Sequence, residues 1–438
     1  MVDHITSIKS DVIRIHSVCI RIHFRKKPSI CPLSFASTSE THTKPAPLVG
    51  REQRSDAWAR LTATILHSYS RFTVPGSRFT IPHMRILVLG GTKFVGPHVV
   101  RQLAARGHEI TIFHRGVTET ELPEGVHHIH GDFASFATHL DELKRLSPEV
   151  VLDMVPFREE DSARVKAFAG VARRVVVISS QDVYRAFGRI WRTEPGPPDP
   201  VPLTEDSPLR EKLSNAGLDY NKTAIELAVI NDPNLPATIL RLPATHGPGD
   251  DKHRLFPYLK RMDDGRPAIL LDEAHASWRW ARGYVEDVAH AIALAVTDER
   301  AAGRTYNVAY AETLSEAEWG KAIARVIGPV AADLRVHSEI APVESDLQVR
   351  PPYWQGKVIA LPGNQLPQSL RRDMLDFTQQ YEVDSSRIRR ELGYSEIVPF
   401  DEALRRTIAW ERSNPPDEVP PEAFDYAAED AALAARSR

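Results

Sequence analysis

From residue 84 onward, short apolar runs alternate with stretches of helical spacing. "RILVLGG", Arg85 to Gly91, is apolar and ends in glycines, which reads as a buried parallel strand. "FVGPHVVRQLAARGHEI" then places Val95, Val99, Val100 and Leu103 at helical spacing, with Gly107 as the stop. "ITIFHRG" is the next buried run, and "EVVLDMVPF", "RRVVVISSQDVY" and "ATILRLPATHGPGD" repeat the type. "YNVAYAETLSEAEWGKAI" reads as strand, loop and helix. The stretch ending "FDEALRRTIAWERSNPP" reads as an amphipathic helix with Leu404 and Ile408 on its apolar side. Asp384 and Asp401 read as helix caps in that region. Strands alternating with helices predict an α/β protein built on a parallel sheet.

Composition narrows the function classes. The 438 residues are 42% hydrophobic and 26% charged, with a formal net charge of −3. That suffices for one large domain and a smaller one, and it gives no whole-chain attraction to nucleic acid or a membrane surface. No apolar run reaches the ~18 residues of a membrane helix. Cys19 and Cys31 are the only cysteines, so thiol catalysis, Cys-ligated zinc and a disulfide framework are excluded for the body of the chain. His127, His128 and His130 read as surface or strand-flanking residues, since no HExxH-type spacing occurs, and no metal is expected. Residues 1–83 lack long periodic apolar segments, and "SFASTSETHTKPAPL" is polar. A start assigned too far upstream, with Met84 the natural one, is preferred to a basic targeting leader. Asp3, Asp11 and the absence of a clean apolar core speak against the leader.

Strand, glycines, helix and second strand within about 30 residues is the context a dinucleotide fingerprint requires. Glycines let the backbone approach a pyrophosphate, which then sits on the free N–H groups of the helix start. The turn is "GGTKFVG": Gly90, Gly91, Thr92, Lys93, Phe94, Val95 and Gly96. Its glycine spacing resembles the extended short-chain dehydrogenase/reductase family, of the NAD-dependent epimerase/dehydratase type. Lys93 stands where that family commonly has its middle glycine. About 20 residues on, an acid would bind the ribose 2′-OH of NAD. This chain has His114 and Arg115 there, which favours NADP over NAD, with Lys93 adding positive charge. By the resemblance, Asp132 of "HGDF" contacts adenine, and backbone around Pro243 to Thr245 lies near nicotinamide. Asp153, inside the fourth strand, is either a strand-end polar residue or a pocket residue.

The resemblance continues through residues 84 to 415 and implies catalytic residues. "SSQDVY" is similar to the family's strand end and makes Ser180, four before Tyr184, the serine that bonds the substrate oxygen. "KTAIE" matches the family's Lys-x-x-x-Glu, which makes Lys222 the lysine that holds the ribose and lowers the tyrosine's pKa. The tyrosine of the family, four before that lysine, is replaced by Leu218; in "GLDYNKTAIE" the tyrosine is Tyr220. On an ideal helix two residues are about 200° apart, so Tyr220 and Lys222 would not share a face. With Asp219 as N-cap, Tyr220 would instead lie in a first turn and reach the pocket. Ala244 replaces the asparagine of sugar-nucleotide members. Trp280 falls near the place of their diphosphate-gripping arginine, with Arg279 and Arg282 close by.

The expected architecture is therefore a Rossmann-type doubly wound parallel sheet with a smaller C-terminal α/β substrate-binding subdomain. The expected boundaries are 84–245 for the NAD(P)-binding domain, 246–415 for an interleaved substrate region and 416–438 for a peripheral tail. The expected function is NAD(P)-dependent hydride transfer on a small or sugar-type substrate by a cytoplasmic homodimer. The alternatives are a dinucleotide binder without turnover, and an RNA-binding relative like the chloroplast stem-loop-binding proteins. Near-neutral charge and the lack of a basic-aromatic stripe count against the last.

Overall fold

The computed structural model describes residues 83–118, 120–212, 220–327 and 354–436. The strands among them are β1 (Arg85–Leu89), β2 (Glu109–His114), β3 (His127–His130), β4 (Val150–Asp153), β5 (Arg174–Ser180), β6 (Ala237–Leu242), β7 (Ala244–His246), β8 (Ala268–Asp272), β9 (Arg282–Tyr284), β10 (Thr305–Asn307) and β11 (Lys357–Leu361). Seven form one sheet in the order β10-β6-β5-β4-β1-β2-β3, every pairing parallel. The chain works outward from β1 to β3, then crosses back to β4 on the other side of β1. This reversal between β1 and β4 is the place where such sheets bind ligands, beyond the carboxyl ends of the strands. Two short parallel pairs, β7–β9 and β8–β11, lie outside the sheet.

The helices are α1 (Val95–Ala105), α2 (Phe136–Arg145), α3 (Ser162–Lys166), α4 (Arg185–Ile190), α5 (Lys222–Val229), α6 (Phe256–Asp263), α7 (Glu273–Ser277), α8 (Val285–Thr297), α9 (Glu316–Val326), α10 (Ser386–Leu392), α11 (Phe400–Ser413) and α12 (Tyr426–Arg436). Side chains of a strand alternate between faces. Ile86, Val88, Val150 and Leu152 therefore meet Val99, Val100 and Leu103 of α1 and Val288 and Ile292 of α8. Leu87, Leu89, Val151, Val175 and Val177 meet Phe113, Leu143, Phe168, Ile225 and Val229 with the opposite alternation. Apolar cover on both faces explains why these strands read as continuous apolar runs. Each fully buried Val, Leu or Ile contributes roughly 1.5–3 kcal/mol.

The predicted amphipathic helix is α11, and Leu404 and Ile408 pack against Trp319 and Ile323 of α9. Asp384 stands one residue before the N-cap of α10, which is Ser385, and its carboxylate accepts the Ser386 N–H at 2.6 Å. Asp401 does not cap. It lies inside the first turn of α11, behind Pro399, and pairs with Arg325 at 2.5 Å. An acid near a helix start favours the helix dipole from either position, and sequence alone does not separate the two. The tail is pinned to the body: Glu429 of α12, buried, receives Arg261 of α6 at 2.6 Å.

Candidate active site

Gly90 and Gly91 have φ of 87° and 91°, the left-handed conformation that turns β1 into α1. Gly96 is needed for another reason, since a Cβ there would lie 2.5 Å from the Gly91 backbone. The helix start can thus close onto the glycine turn only without a side chain. Phe94, at φ 48°, occupies the N-cap of α1 and makes no side-chain cap hydrogen bond. The first N–H groups of α1 are therefore left without a side-chain cap, which suits an anion such as a pyrophosphate. Gly249, in the loop after β7, approaches Phe94 closely enough that a Cβ would lie 3.4 Å from its Cα. The chain's own residues thus fit a dinucleotide phosphate at Gly90 to Gly96. Thr92 is half-buried, Val95 buried and Lys93 exposed.

At the ribose end, Arg115 is exposed just beyond β2. Asp132, also exposed, uses one carboxylate oxygen to accept the Ala134 N–H at 2.8 Å. Pro243 is buried between β6 and β7. The histidines are not scattered. Parallel register sets His114 beside His130, and one ring nitrogen each of His114, His128 and His130 lie within 4.8 Å of one another. The Gly116 N–H donates to His114 Nδ1 at 3.3 Å, so a neutral His114 carries its proton on Nε2, 3.1 Å from His128 Nδ1. Gly116, His114 and His128 thus form a hydrogen-bond chain, with the His130 ring centroid 4.6 Å from that of His114.

Ser180 ends β5, and Lys222 opens α5. Lys222 is buried and donates to the Ile178 carbonyl at 3.0 Å. Burial pushes its ammonium below the usual lysine range, while Asp182, Asp153 and Glu226 pull the other way. One turn on, Glu226 accepts the Ser179 hydroxyl at 2.5 Å and Arg241 at 2.6 Å. The glutamate of "KTAIE" is therefore the pin that holds α5 to β5 and β6.

Leu218 and Asp219 lie outside the described residues. The N-cap of α5 is Asn221, not Asp219: its side chain accepts the Ala224 N–H at 3.1 Å. Tyr220 therefore precedes the helix and escapes its periodicity. Its ring centroid lies 5.9 Å from Lys222 Nζ and 6.1 Å from that of Phe157. Asp182 and Ser180 are the polar groups that act most directly on its hydroxyl. Burial pushes the phenol well above its ordinary pKa, the Asp182 carboxylate adds to the rise, and Ser180 and Arg210 counter it. Ser180 Oγ accepts the Asp182 N–H at 3.3 Å, which leaves its own hydroxyl proton to be donated. Ser180, Tyr220 and Lys222 thus converge, at the carboxyl end of β5, with Asp182 among them.

Several neighbours turn out to be scaffold. Tyr184 is fully buried and donates to Asn307 at 2.7 Å. Asp153 is the buried strand-end partner of Arg164 at 3.3 Å. His246 bonds Thr407 and Tyr310 at 3.0 Å each, and burial lowers its pKa to about 3. Trp280 is core, packed on Trp278 at 5.4 Å. Of the two arginines flanking it, Arg282 is committed to Glu316 at 2.9 Å and Arg279 lies 3.9 Å from Glu318. Sequence reasoning missed Asp182 and Arg210. Asp182 had one signal, a polar residue two positions after Ser180; Arg210 had none.

Comparison with known proteins identifies the family. The model of the NAD dependent epimerase/dehydratase family matches residues 86–309, just over half of the chain. The 2′-dehydrokanamycin reductase of Streptomyces kanamyceticus is 32% identical over 232 residues, 50% of this chain and 60% of that protein. The chain thus matches less than two thirds of that reductase's length. The dTDP-glucose 4,6-dehydratase of an Actinoplanes species is 23% identical over 367 residues, 76% of this chain and 98% of that one. The solved structure of the dTDP-glucose 4,6-dehydratase DesIV from Streptomyces venezuelae, with NAD bound, superposes with a TM-score of 0.53 at 22% identity, over 76% of this chain and 98% of that one. The glycine turn, the sheet order and these matches agree: the chain belongs to the NAD-dependent epimerase/dehydratase family.

Proposed function

We propose that the protein is an NAD(P)-dependent oxidoreductase of the epimerase, dehydratase or reductase type, acting on a small sugar-type substrate, with NADP the preferred dinucleotide. The convergence of Ser180, Tyr220 and Lys222 carries the reading. Gly90 to Gly96 would hold the pyrophosphate, and Arg115, with Lys93 nearby, would meet a 2′-phosphate. When bound, the dinucleotide supplies the hydride donor or acceptor. Ser180 fixes the substrate oxygen, and Lys222, set by the Ile178 carbonyl, faces the ribose.

Tyr220 handles the proton. A phenol whose pKa lies well above its ordinary value stays protonated at neutral pH, so it cannot by itself accept a proton from a substrate hydroxyl. Asp182 resolves this. As the substrate hydroxyl gives its proton to the Tyr220 oxygen, the phenol proton passes to Asp182; in the reductive direction both transfers reverse. Leu218 is then no defect, because the base is reached through Tyr220 from outside the helix.

The test is nicotinamide absorbance with NADP and NAD across a panel of sugars, nucleotide sugars and small carbonyl compounds. Turnover should appear and be lost in Ser180→Ala, Asp182→Asn and Lys222→Ala. Tight dinucleotide binding with no turnover on any substrate would instead establish a binder without redox chemistry.

A further inference from the structure

Arg210 has no part in the scheme above, and its state is anomalous. It is 4% exposed, and its backbone N–H donates to the Val183 carbonyl at 2.8 Å. Its Nε, Nη1 and Nη2 are all buried with no hydrogen-bond partner among the described residues. The other buried arginines among the described residues all have partners: Arg164 pairs with Asp153, Arg189 with Asp199, Arg241 with Glu226, Arg261 with Glu429 and Arg282 with Glu316, and Arg174 donates to the Ala295 and Val296 carbonyls. A buried cation without a partner is strongly unfavourable, and proteins pair such groups or use them to hold a ligand.

Its position says which ligand. The guanidinium carbon lies 5.8 Å from the centroid of the Tyr220 ring. Its charge works against the rise that burial imposes on both Tyr220 and Tyr381. Asp182, whose charge raises the same phenol's pKa, keeps its Oδ1 buried and without a hydrogen-bond partner. A fork of unpartnered donors and an unpartnered acceptor therefore stand around one tyrosine.

We propose that Arg210 docks a carboxylate of the substrate beside the carbon whose oxygen Tyr220 serves, so that the substrate is a sugar acid or a related hydroxy acid. The planar fork matches the two carboxylate oxygens, while the free Asp182 oxygen accepts a neighbouring hydroxyl. Asp182 also disfavours a phosphate there, since a dianion would meet its charge at close range. The proposal rests on Tyr220 lying at the reacting centre.

The experiment uses the full chain saturated with NADP+, whose binding is first measured by tryptophan fluorescence. Melting midpoints are then compared with glucuronate, galacturonate and glycerate, and with glucose, galactose and glycerol as neutral counterparts. Glucose 6-phosphate is the phosphate arm. At least one acid should raise the midpoint of the wild type by several degrees where its neutral counterpart does not, and the rise should vanish in Arg210→Met. Without any added acid, Arg210→Met should melt above the wild type, because it removes an unpaired buried charge at nearly constant length; a structural arginine would give the opposite sign. The proposal is overturned if no acid exceeds its neutral counterpart, if glucose 6-phosphate exceeds all the acids, or if Arg210→Met melts lower and keeps the acid response. Failure to bind NADP+ would sink the reading of the whole site, whereas NADP+ binding without acid discrimination would sink only the assignment of Arg210.

Discussion

Asn221 caps the helix that Lys222 opens, and this places Tyr220 just ahead of the cap, with its ring centroid 5.9 Å from Lys222 Nζ. The cap frees the tyrosine from the 100° steps that would have turned it away from Lys222. Tyr220→Phe should therefore lower kcat by roughly 10²–10⁴-fold, the range for a positioned proton-transfer group, with NADP affinity unchanged. Steady-state kinetics alongside a dinucleotide titration check this, and equal kcat in the two proteins would remove Tyr220 from the chemistry.

Glu226 and Arg241 form a buried pair at 2.6 Å, and Arg241 also reaches Tyr184 at 3.0 Å. Removing one partner of such a pair leaves the other charge buried and alone. Glu226→Ala should destabilise the protein by roughly 3–5 kcal/mol, measured by urea unfolding. A loss below about 1 kcal/mol would mean that α5 is held to the sheet by packing alone.

Gly96 faces the Gly91 backbone at a separation no real Cβ tolerates. Gly96→Ala must push α1 away from the turn, and that displaces the N–H groups aimed at the phosphates. NADP affinity should fall at least tenfold, about 1.4 kcal/mol. A fluorescence titration decides it, and an unchanged dissociation constant would mean that the dinucleotide does not lie on this turn.

Arg115 stands where an acid would select NAD. Arg115→Asp should lower the ratio of NADP to NAD in kcat/KM by roughly tenfold or more. An unchanged ratio would sink the NADP assignment and leave the rest of the site intact.

Glu411 is buried on α11 and 2.7 Å from His253, and burial pushes its pKa up to about 7. A carboxyl raised from 4.5 is held neutral by the folded state. Its contribution is fully present below about pH 4.5 and is lost as pH rises through about 7. Glu411→Gln should accordingly melt above the wild type near pH 8, with the gap closing toward pH 5. Parallel pH curves for the two proteins would contradict a neutral Glu411.

The sheet was legible because its strands are covered on both faces, so Arg85 to Leu89 and Arg174 to Ser180 could hardly be anything else. Ser180 and Lys222 came from the resemblance of "SSQDVY" and "KTAIE" to the family's motifs, and the fold brings them together because one ends β5 and the other opens α5. Tyr220 was half legible: helix periodicity argued against it, a cap at Asp219 would have admitted it in the first turn, and the cap is instead Asn221, one residue after it. Arg210 was illegible for a different reason, and Asp182 nearly so, with its place two residues after Ser180 the one hint. Their significance lies in polar atoms left unpartnered by packing, a property of the folded molecule. The histidines failed similarly, because His114 joins His128 and His130 only across a strand pairing.

The outermost strand on one side of the sheet, β10, is supplied by Thr305–Asn307 and pairs with β6, which ended at Leu242. Translation proceeds from the N-terminus, so the edge of β6 stays bare while the intervening chain is made. Bare parallel edges recruit foreign strands, and a product released soon after residue 242 would carry one permanently. The nucleotide-binding half is thus no detachable module: a split reporter, fusion junction or deletion that ends before residue 307 should yield an aggregation-prone fragment.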